Sequence, residues 1–108
     1  MSNSDNDLVR AARDTCLACE GVSSMASTLS YAVNGTLRAI PGFDAGVKGV
    51  RMERDKNGLT FYLYLKVRYG EQIPVLAWNI QKSVTAALEK MTDEKIKAVN
   101  IHIQGVNL

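Results

Sequence analysis

Residues 59–108 form a strand–helix–strand pattern that restricts the fold more than any other feature of the sequence. The first strand alternates apolar and polar residues. A helix then begins near Pro74, which suits a first helical turn, and carries one apolar stripe that ends at Met91. In the last strand, about residues 96–104, apolar residues alternate with Asn100, His102 and Gln104. If these two strands lie parallel in one sheet, the helix between them is predicted to make a right-handed crossover.

A hairpin precedes this unit, over residues 47–69. Asn57-Gly58 is the pair favoured in a two-residue type I′ turn. That turn predicts three pairs on an apolar face: Arg54 with Phe61, Met52 with Leu63, and Val50 with Leu65. The opposite face is polar and aromatic, so the turn and the alternation indicate the same two faces.

The first half of the chain is less regular. Residues 1–7 are predicted to be a flexible tail, and residues 8–20 a helix with Asp7 as N-cap and Gly21 after its end. A short extended piece follows at residues 22–25. Residues 27–40 carry a helical stripe weakened by Gly35, and their structure stays uncertain. We therefore predict one domain over residues 8–108, an α+β fold with a small mixed sheet packed against two to three helices.

Composition narrows the classes of function. The chain has 108 residues and a net charge of +2. This charge is too small to indicate a protein that binds nucleic acid or a membrane surface. Its polar, acidic start lacks the features of a secretory signal, and no run approaches the ~18 apolar residues of a membrane-spanning helix. We expect a cytoplasmic protein that reaches a membrane only through a partner or a surface patch.

Cys16 and Cys19 form a CxxC motif, but its position does not suit redox or metal chemistry. A redox pair belongs at a helix N-terminus, where the helix dipole lowers the thiol pKa. Here the pair falls late in a predicted helix. A structural zinc site needs four ligands, and the chain has no third cysteine and one histidine. We predict buried thiols that pack against the core.

No other motif indicates catalysis. His102 has Asn100 and Gln104 on its side of the strand, and neither residue is acidic. Residues 46–49 match the GxxG of a KH domain, but that loop joins two helices and this one leads into a strand. We predict no catalytic residue, no cofactor and no metal, and therefore no enzyme.

The outer face of the hairpin is a candidate contact surface for a partner or a nucleic acid. It combines aromatic and basic side chains, which can stack on bases and hold phosphates. Cross-strand pairs that merely stabilise a half-exposed sheet, or a helix that covers this face, would explain the same pattern. The candidate residues are Arg51, Tyr62, Tyr64, Lys66, Arg68 and His102.

Several segments resemble the alkaline shock protein family of Gram-positive-type bacteria, also called the envelope stress response family. The run from Leu63 to Gly70 with the following Ile-Pro, the helix end Met91-Thr92, and Glu20-Gly21-Val22 match its pattern. The ending Val99 to Val106, VNIHIQGV, is the most specific part. The resemblance covers nearly the whole domain and is strongest over 59–108.

This resemblance implies a non-enzymatic, cytoplasmic protein of cell-envelope or alkaline stress, some relatives being held at the membrane by a small anchor protein. The exposed edge of a small mixed sheet and the nearly uncharged stripe in residues 29–40 suit self-association and protein partners. We expect a homo-oligomer. The alternative is a small KH-like RNA-binding module that uses the basic-aromatic face.

Overall fold

The computed structural model describes residues 4–26 and 49–107. Within these two ranges, two helices and four strands follow one another. Their bounds are α1 Asp5–Ala18, β1 Val22–Met25, β2 Val50–Asp55, β3 Gly58–Arg68, α2 Ile73–Glu89 and β4 Ile96–Asn107.

Strand β3 is the centre of a mixed sheet. β4 pairs with it in parallel after the crossover through α2, and β2 and β1 pair with it antiparallel. β2 and β1 lie one after the other on the same edge of β3. Tyr64 shows this, because its N–H donates to the Gly49 carbonyl just before β2 and its carbonyl accepts from the Ala26 N–H just after β1. The predicted α+β fold, with a hairpin and a strand after a crossover helix, is confirmed.

One face of the sheet and the two helices enclose the core. The apolar row of β3 is fully buried, with Leu59, Phe61, Leu63, Leu65 and Val67 all at 0% exposure. The stripe of α2 belongs to the same buried cluster as this row, and α2 contacts β4. The buried face of α1 packs on α2, β1 and β2. The stripe predicted for α2 is the buried one, and the helix ends at Glu89, two residues before Met91.

Helix α1 begins earlier than its sequence pattern suggested. Ser4 is the N-cap, and its hydroxyl accepts a hydrogen bond from the Asp7 N–H while the Asp7 carboxylate accepts one from the Ser4 N–H. This reciprocal capping box supplies two partners for the exposed amides of the first turn. The prediction of Asp7 as N-cap was wrong, and residues 4–7 of the predicted flexible tail lie in the capped first turn.

The predicted hairpin register was also wrong, by two residues. Asp55 pairs with Gly58, so the bend contains Lys56 and Asn57, and Met52 lies opposite Phe61. The Asp55 carboxylate accepts a hydrogen bond from the Asn57 N–H at 2.7 Å, which favours a bend at Lys56 and Asn57. A shift of two leaves each side chain on its predicted face, because strand side chains alternate with period two.

Gly58 explains why the turn takes this position. Its φ is +135°, and a Cβ there would lie 2.4 Å from the carbonyl oxygen of Lys95. The same oxygen accepts the Leu59 N–H at 2.8 Å. Only glycine fits against the start of β4 at this point, so a contact from outside the hairpin determines the register.

Candidate interaction surfaces of the sheet

The polar face of the sheet brings together four of the residues that the sequence singled out. The Arg51 guanidinium lies over the Tyr62 ring, 4.1 Å from its centre. The Tyr64 and His102 rings are stacked with their centres 4.9 Å apart, and the centres of the His102 and Tyr62 rings are 6.3 Å apart. The parallel register explains this cluster, because it sets Tyr64 opposite His102.

Glu53 balances the charge of this cluster. Its carboxylate accepts hydrogen bonds from the Arg51 guanidinium at 2.6 Å and from the Tyr62 hydroxyl at 3.1 Å. Burial raises the pKa of Tyr62, and its hydrogen bond to Glu53 raises it further. The side chains of Arg51 and Tyr62 are therefore engaged with each other and with Glu53, a cross-strand pairing that itself stabilises a sheet.

The residues of the predicted basic-aromatic face differ in their exposure to solvent. Tyr64 is only 6% exposed, so its ring faces cannot both be offered to bases. Lys66 and Arg68 are exposed at the far end of β3, and neither takes part in an ion pair among the described residues. The structure thus collects these residues on one face, where Lys66, Arg68 and His102 are exposed, while Arg51 and Tyr62 are partly buried and Tyr64 is buried within the described part of the chain.

The two cysteines are packed differently. Cys16 is fully buried, and Cys19 is half-buried with its thiol donating to the Thr15 carbonyl at 3.4 Å. Burial raises the pKa of Cys16 to about 12, and it raises that of Cys19 as well. A thiol that holds its proton at neutral pH is a poor nucleophile. The packing prediction is confirmed for Cys16 and holds in part for Cys19.

An ionic cluster that sequence reasoning missed ties three parts of the fold together. Arg54 donates two hydrogen bonds to Asp5 in α1, at 2.9 and 2.7 Å, and two to Glu94 in the loop before β4, both at 2.8 Å. The Arg54 guanidinium lowers the pKa of both carboxyls. The signal available in the sequence was Arg54 itself, a charged residue at the end of the apolar row of β2.

Strand β4 has a second edge that no strand of the described ranges 4–26 and 49–107 pairs with. The Val99 carbonyl accepts a hydrogen bond from Gln81 Nε2 of α2 at 2.9 Å, so the backbone of Val99 is directed away from β3. Backbone direction alternates along a strand. Ile101 and Ile103 therefore direct their N–H and C=O groups to the same open edge.

The flank of α2 beside this edge carries Trp78, the one tryptophan of the chain. Its side chain is 56% exposed, and Lys82 Nζ lies 4.0 Å from the ring centre. Sequence reasoning passed over Trp78; the available signal was a tryptophan off the apolar stripe of an amphipathic helix. A shallow groove of about 330 Å³ runs along this flank, lined by Trp78, Gln81, Lys82, Thr85, Ala86 and Glu89.

Some expectations fall outside the described residues. Residues 46–48 of the GxxG match and the stripe in residues 27–40 lie there. Among the described residues no cluster of three or more His, Cys, Asp or Glu side chains could hold a metal ion. No helix in the described part of the chain has both the length and the apolar character needed to cross a membrane.

A protein-family model matches residues 5–108. It is the model of the alkaline shock protein 23 family, which is described as having a cell envelope-related function. The match spans α1 to the end of β4, so it covers the whole of the fold described above.

Curated relatives come from Gram-positive bacteria. Protein YqhY of Bacillus subtilis is 29% identical over 100 residues, which covers 83% of this chain and 74% of YqhY. YloU of the same species is 25% identical over 105 residues, covering 97% and 86%. Spy1535 of Streptococcus pyogenes is 38% identical over 60 residues, and the match spans about half of each protein, 55% of this chain and 46% of the relative. All three are called uncharacterized proteins, so their names carry no activity.

Solved structures of MamM-CTD variants share the fold. Two of them, one described as a copper form, have a TM-score of 0.54 at 10% identity and cover 94% of this chain and 98% of their own. At this identity the likeness concerns the arrangement of the strands and helices alone.

Proposed function

Since the chain belongs to the alkaline shock protein 23 family, a family with a cell envelope-related function, we propose that it is a non-enzymatic structural and interaction protein of the envelope stress response. It acts through self-association and through protein partners. This proposal extends the family description to a mode of action.

The open edge of β4 is the observation that carries the proposal. The strand has 12 residues, and the backbone groups of Ile101 and Ile103 face outward along it. Monomeric proteins usually protect such an edge with proline, inward charges or a bulge that turns it away. β4 has no proline, and its one lysine, Lys97, is engaged by Asp55. The bulge after Ile103 leaves the middle of the strand regular.

Two further observations favour an interaction protein over an enzyme. The Cys16 thiol is fully buried with a raised pKa, and the Arg51 guanidinium, which lies over the Tyr62 ring, is already bound to Glu53. Groups of this kind stabilise a fold better than they transfer protons or attack a substrate.

The test of the proposal is the size of the protein in solution. Sedimentation velocity over a range of concentrations should show species larger than the monomer, with a larger share at higher concentration. A protein that stays monomeric at the highest soluble concentration would contradict self-association.

A membrane-anchoring partner is part of the same proposal, and it places the protein in the cytoplasm at the periphery of the membrane. The cell envelope-related description of the family supports it. In cell fractionation the chain should sediment with membranes, while the purified chain should not bind vesicles of mixed anionic and neutral lipids by itself. Direct binding to such vesicles would contradict the need for an anchoring partner.

RNA binding is the second candidate, and the exposed pair Lys66 and Arg68 at the end of the polar face favours it. An electrostatic site of this kind should bind single-stranded RNA with an affinity that falls steeply with salt. Changing both Lys66→Ala and Arg68→Ala should abolish that binding. The matched control is Lys56→Ala, an exposed lysine in the hairpin bend. Equal loss in the control would rule out a localised site on the polar face.

A further inference from the structure

We propose that the open edge of β4 pairs antiparallel with the β4 edge of a second copy of this chain, with Ile101 of each copy opposite Ile103 of the other. The inference rests on the proposed self-association and assigns it a surface and a register. Trp78 of each copy flanks the seam between the two strands.

The backbone groups left open on β4 determine the register. The Val99 carbonyl is already bound to Gln81, whereas the outward groups of Ile101 and Ile103 have no strand partner in the described part of the chain. In an antiparallel pair, residues whose groups face each other exchange two hydrogen bonds. Placing Ile101 opposite Ile103 makes two such pairs by symmetry, and it centres the twofold axis on His102.

The side chains around this centre are compatible with a copy of themselves. Ile101 and Ile103 are partly buried apolar residues that pack against the core, so the pairing places apolar side chains opposite apolar side chains. Between Val99 and Gly105 the strand carries no Lys, Arg, Asp or Glu. The ionisable side chain at the seam in this segment is therefore His102, and a net charge of +2, counted with His neutral, causes little repulsion between two copies.

Symmetry brings the two α2 helices to the same side of the joined sheet. A twofold axis that relates antiparallel neighbours within one sheet is perpendicular to that sheet, so both helical layers share one face. Gln81 reaches the edge of β4, and Trp78 lies one turn earlier and ~60° away on the same flank of α2. Each Trp78 ring, 56% exposed in one copy, can then bury against the second copy.

The expected interface is modest in size. Stable interfaces bury about 1,200–2,000 Å² in total, and each Trp78, 56% exposed, can add at most about half of the roughly 150–250 Å² that a fully covered aromatic side chain buries. One short pair of strands and two flanking rings lie near the lower end of that range. The association is therefore expected to be weak and to depend on concentration.

Symmetric disulfide trapping tests the register directly. In a Cys19→Ser background with the buried Cys16 kept, His102→Cys would place two thiols in a non-hydrogen-bonded pair, where Cα atoms lie ~4.5 Å apart. That spacing suits a disulfide. The matched control on the same face of the same strand is Asn100→Cys, whose two copies would lie ~13 Å apart. Mild oxidation should convert most of the His102→Cys protein to covalent dimer, at least ~10-fold faster than Asn100→Cys, and the background protein should stay uncrosslinked.

A second pair of variants addresses the backbone. Ile103→Pro removes an N–H that does not bond to β3, a position where a strand edge tolerates proline. Because symmetry repeats the loss, the dissociation constant should rise at least ~10-fold. Ile103→Val keeps the N–H and most of the side chain and should associate like the wild type. Far-UV circular dichroism and thermal unfolding confirm that each variant is folded.

The outcomes separate this inference from the proposed function. Selective trapping of His102→Cys supports the β4 interface. A wild type larger than a monomer with no selective trapping overturns the β4 interface while self-association stands, as does equal trapping of both cysteine variants. A wild type that stays monomeric overturns both, and it is also the result expected if the β4 edge receives only an extended segment of another protein.

Discussion

Gly58→Ala tests whether the contact between the hairpin bend and the start of β4 determines the register. A methyl group at Gly58 would lie 2.4 Å from the Lys95 carbonyl oxygen, and the φ of +135° is unfavourable for alanine. A positive φ alone costs about 1–2 kcal/mol. Displacing Lys95 also weakens the hydrogen bond from the Leu59 N–H, worth about 1 kcal/mol. With the steric clash, we expect a loss of about 3–4 kcal/mol in the free energy of unfolding.

Gly70→Ala is the matched control. Gly70 also has a positive φ, +91°, but nothing lies within 4 Å of a Cβ there. The control should lose only the ~1–2 kcal/mol of backbone strain. In a domain of this size, about 1 kcal/mol lowers the melting temperature by roughly 4–8 °C. The difference of about 2 kcal/mol should therefore lower the melting temperature of the Gly58→Ala protein by roughly 8–16 °C more than that of the Gly70→Ala control.

Urea unfolding followed by Trp78 fluorescence and far-UV circular dichroism gives both free energies. The slope against urea should stay unchanged if the folded states are alike. Equal losses in the two variants would refute the reasoning, because they would mean that Lys95 does not crowd Gly58 and that the register has another cause.

Three further predictions concern other parts of the fold. Arg54→Met should lower the free energy of unfolding at neutral pH, and this cost should shrink as the pH falls below 3.8, the ordinary pKa of Asp5, because the Asp5 carboxyl has a lowered pKa when folded and contributes stability only while ionised. Chemical unfolding of both proteins at neutral and acidic pH measures the difference, and a cost that does not change with pH would contradict this prediction. Cys16 should resist alkylation at neutral pH until the protein unfolds, since it is fully buried with a pKa of about 12; rapid labelling in the folded state, detected by mass spectrometry, would refute this. Ser4→Ala should cost about 0.5–2 kcal/mol by loss of the capping hydroxyl, and Ser4→Asp, measured by thermal unfolding, should recover most of it.

The two wrong predictions have different physical origins. The capping box of Ser4 and Asp7 is local: two side chains three residues apart satisfy each other's backbone groups, and the sequence contained that signal. The hairpin register is only partly local. The hydrogen bond from the Asn57 N–H to the Asp55 carboxylate lies within the bend, whereas the contact of Gly58 and Leu59 with the Lys95 carbonyl depends on the start of β4. A turn motif read by itself favoured Asn57-Gly58 and could not include a strand from much later in the chain.

On the polar face of the sheet, too, some properties followed from local sequence patterns and others depended on contacts between strands. Alternation along β2, β3 and β4 was enough to predict that Arg51, Tyr62 and His102 share one face. The structure places Arg51 over the Tyr62 ring and the His102 ring centre 6.3 Å from that of Tyr62. It was not enough to predict that Glu53 neutralises Arg51 or that Tyr64 is 6% exposed. Those properties depend on distances between side chains of different strands.

For residues 4–26 and 49–107, the sequence by itself determined the order and type of the helices and strands and the face on which each strand side chain lies. It could do so because a period of two or of 3.6 residues is local and survives a shift of register by two. Through the ending Val99 to Val106 the sequence also indicated the family. Only the tertiary structure decided which residues lie opposite one another, that Arg54 joins Asp5 to Glu94, and that Gln81 of α2 binds the Val99 carbonyl at the open edge of β4. Each of these contacts joins segments far apart in the chain, and the partner of a backbone group or a charge is determined by how those segments pack, which no local pattern encodes.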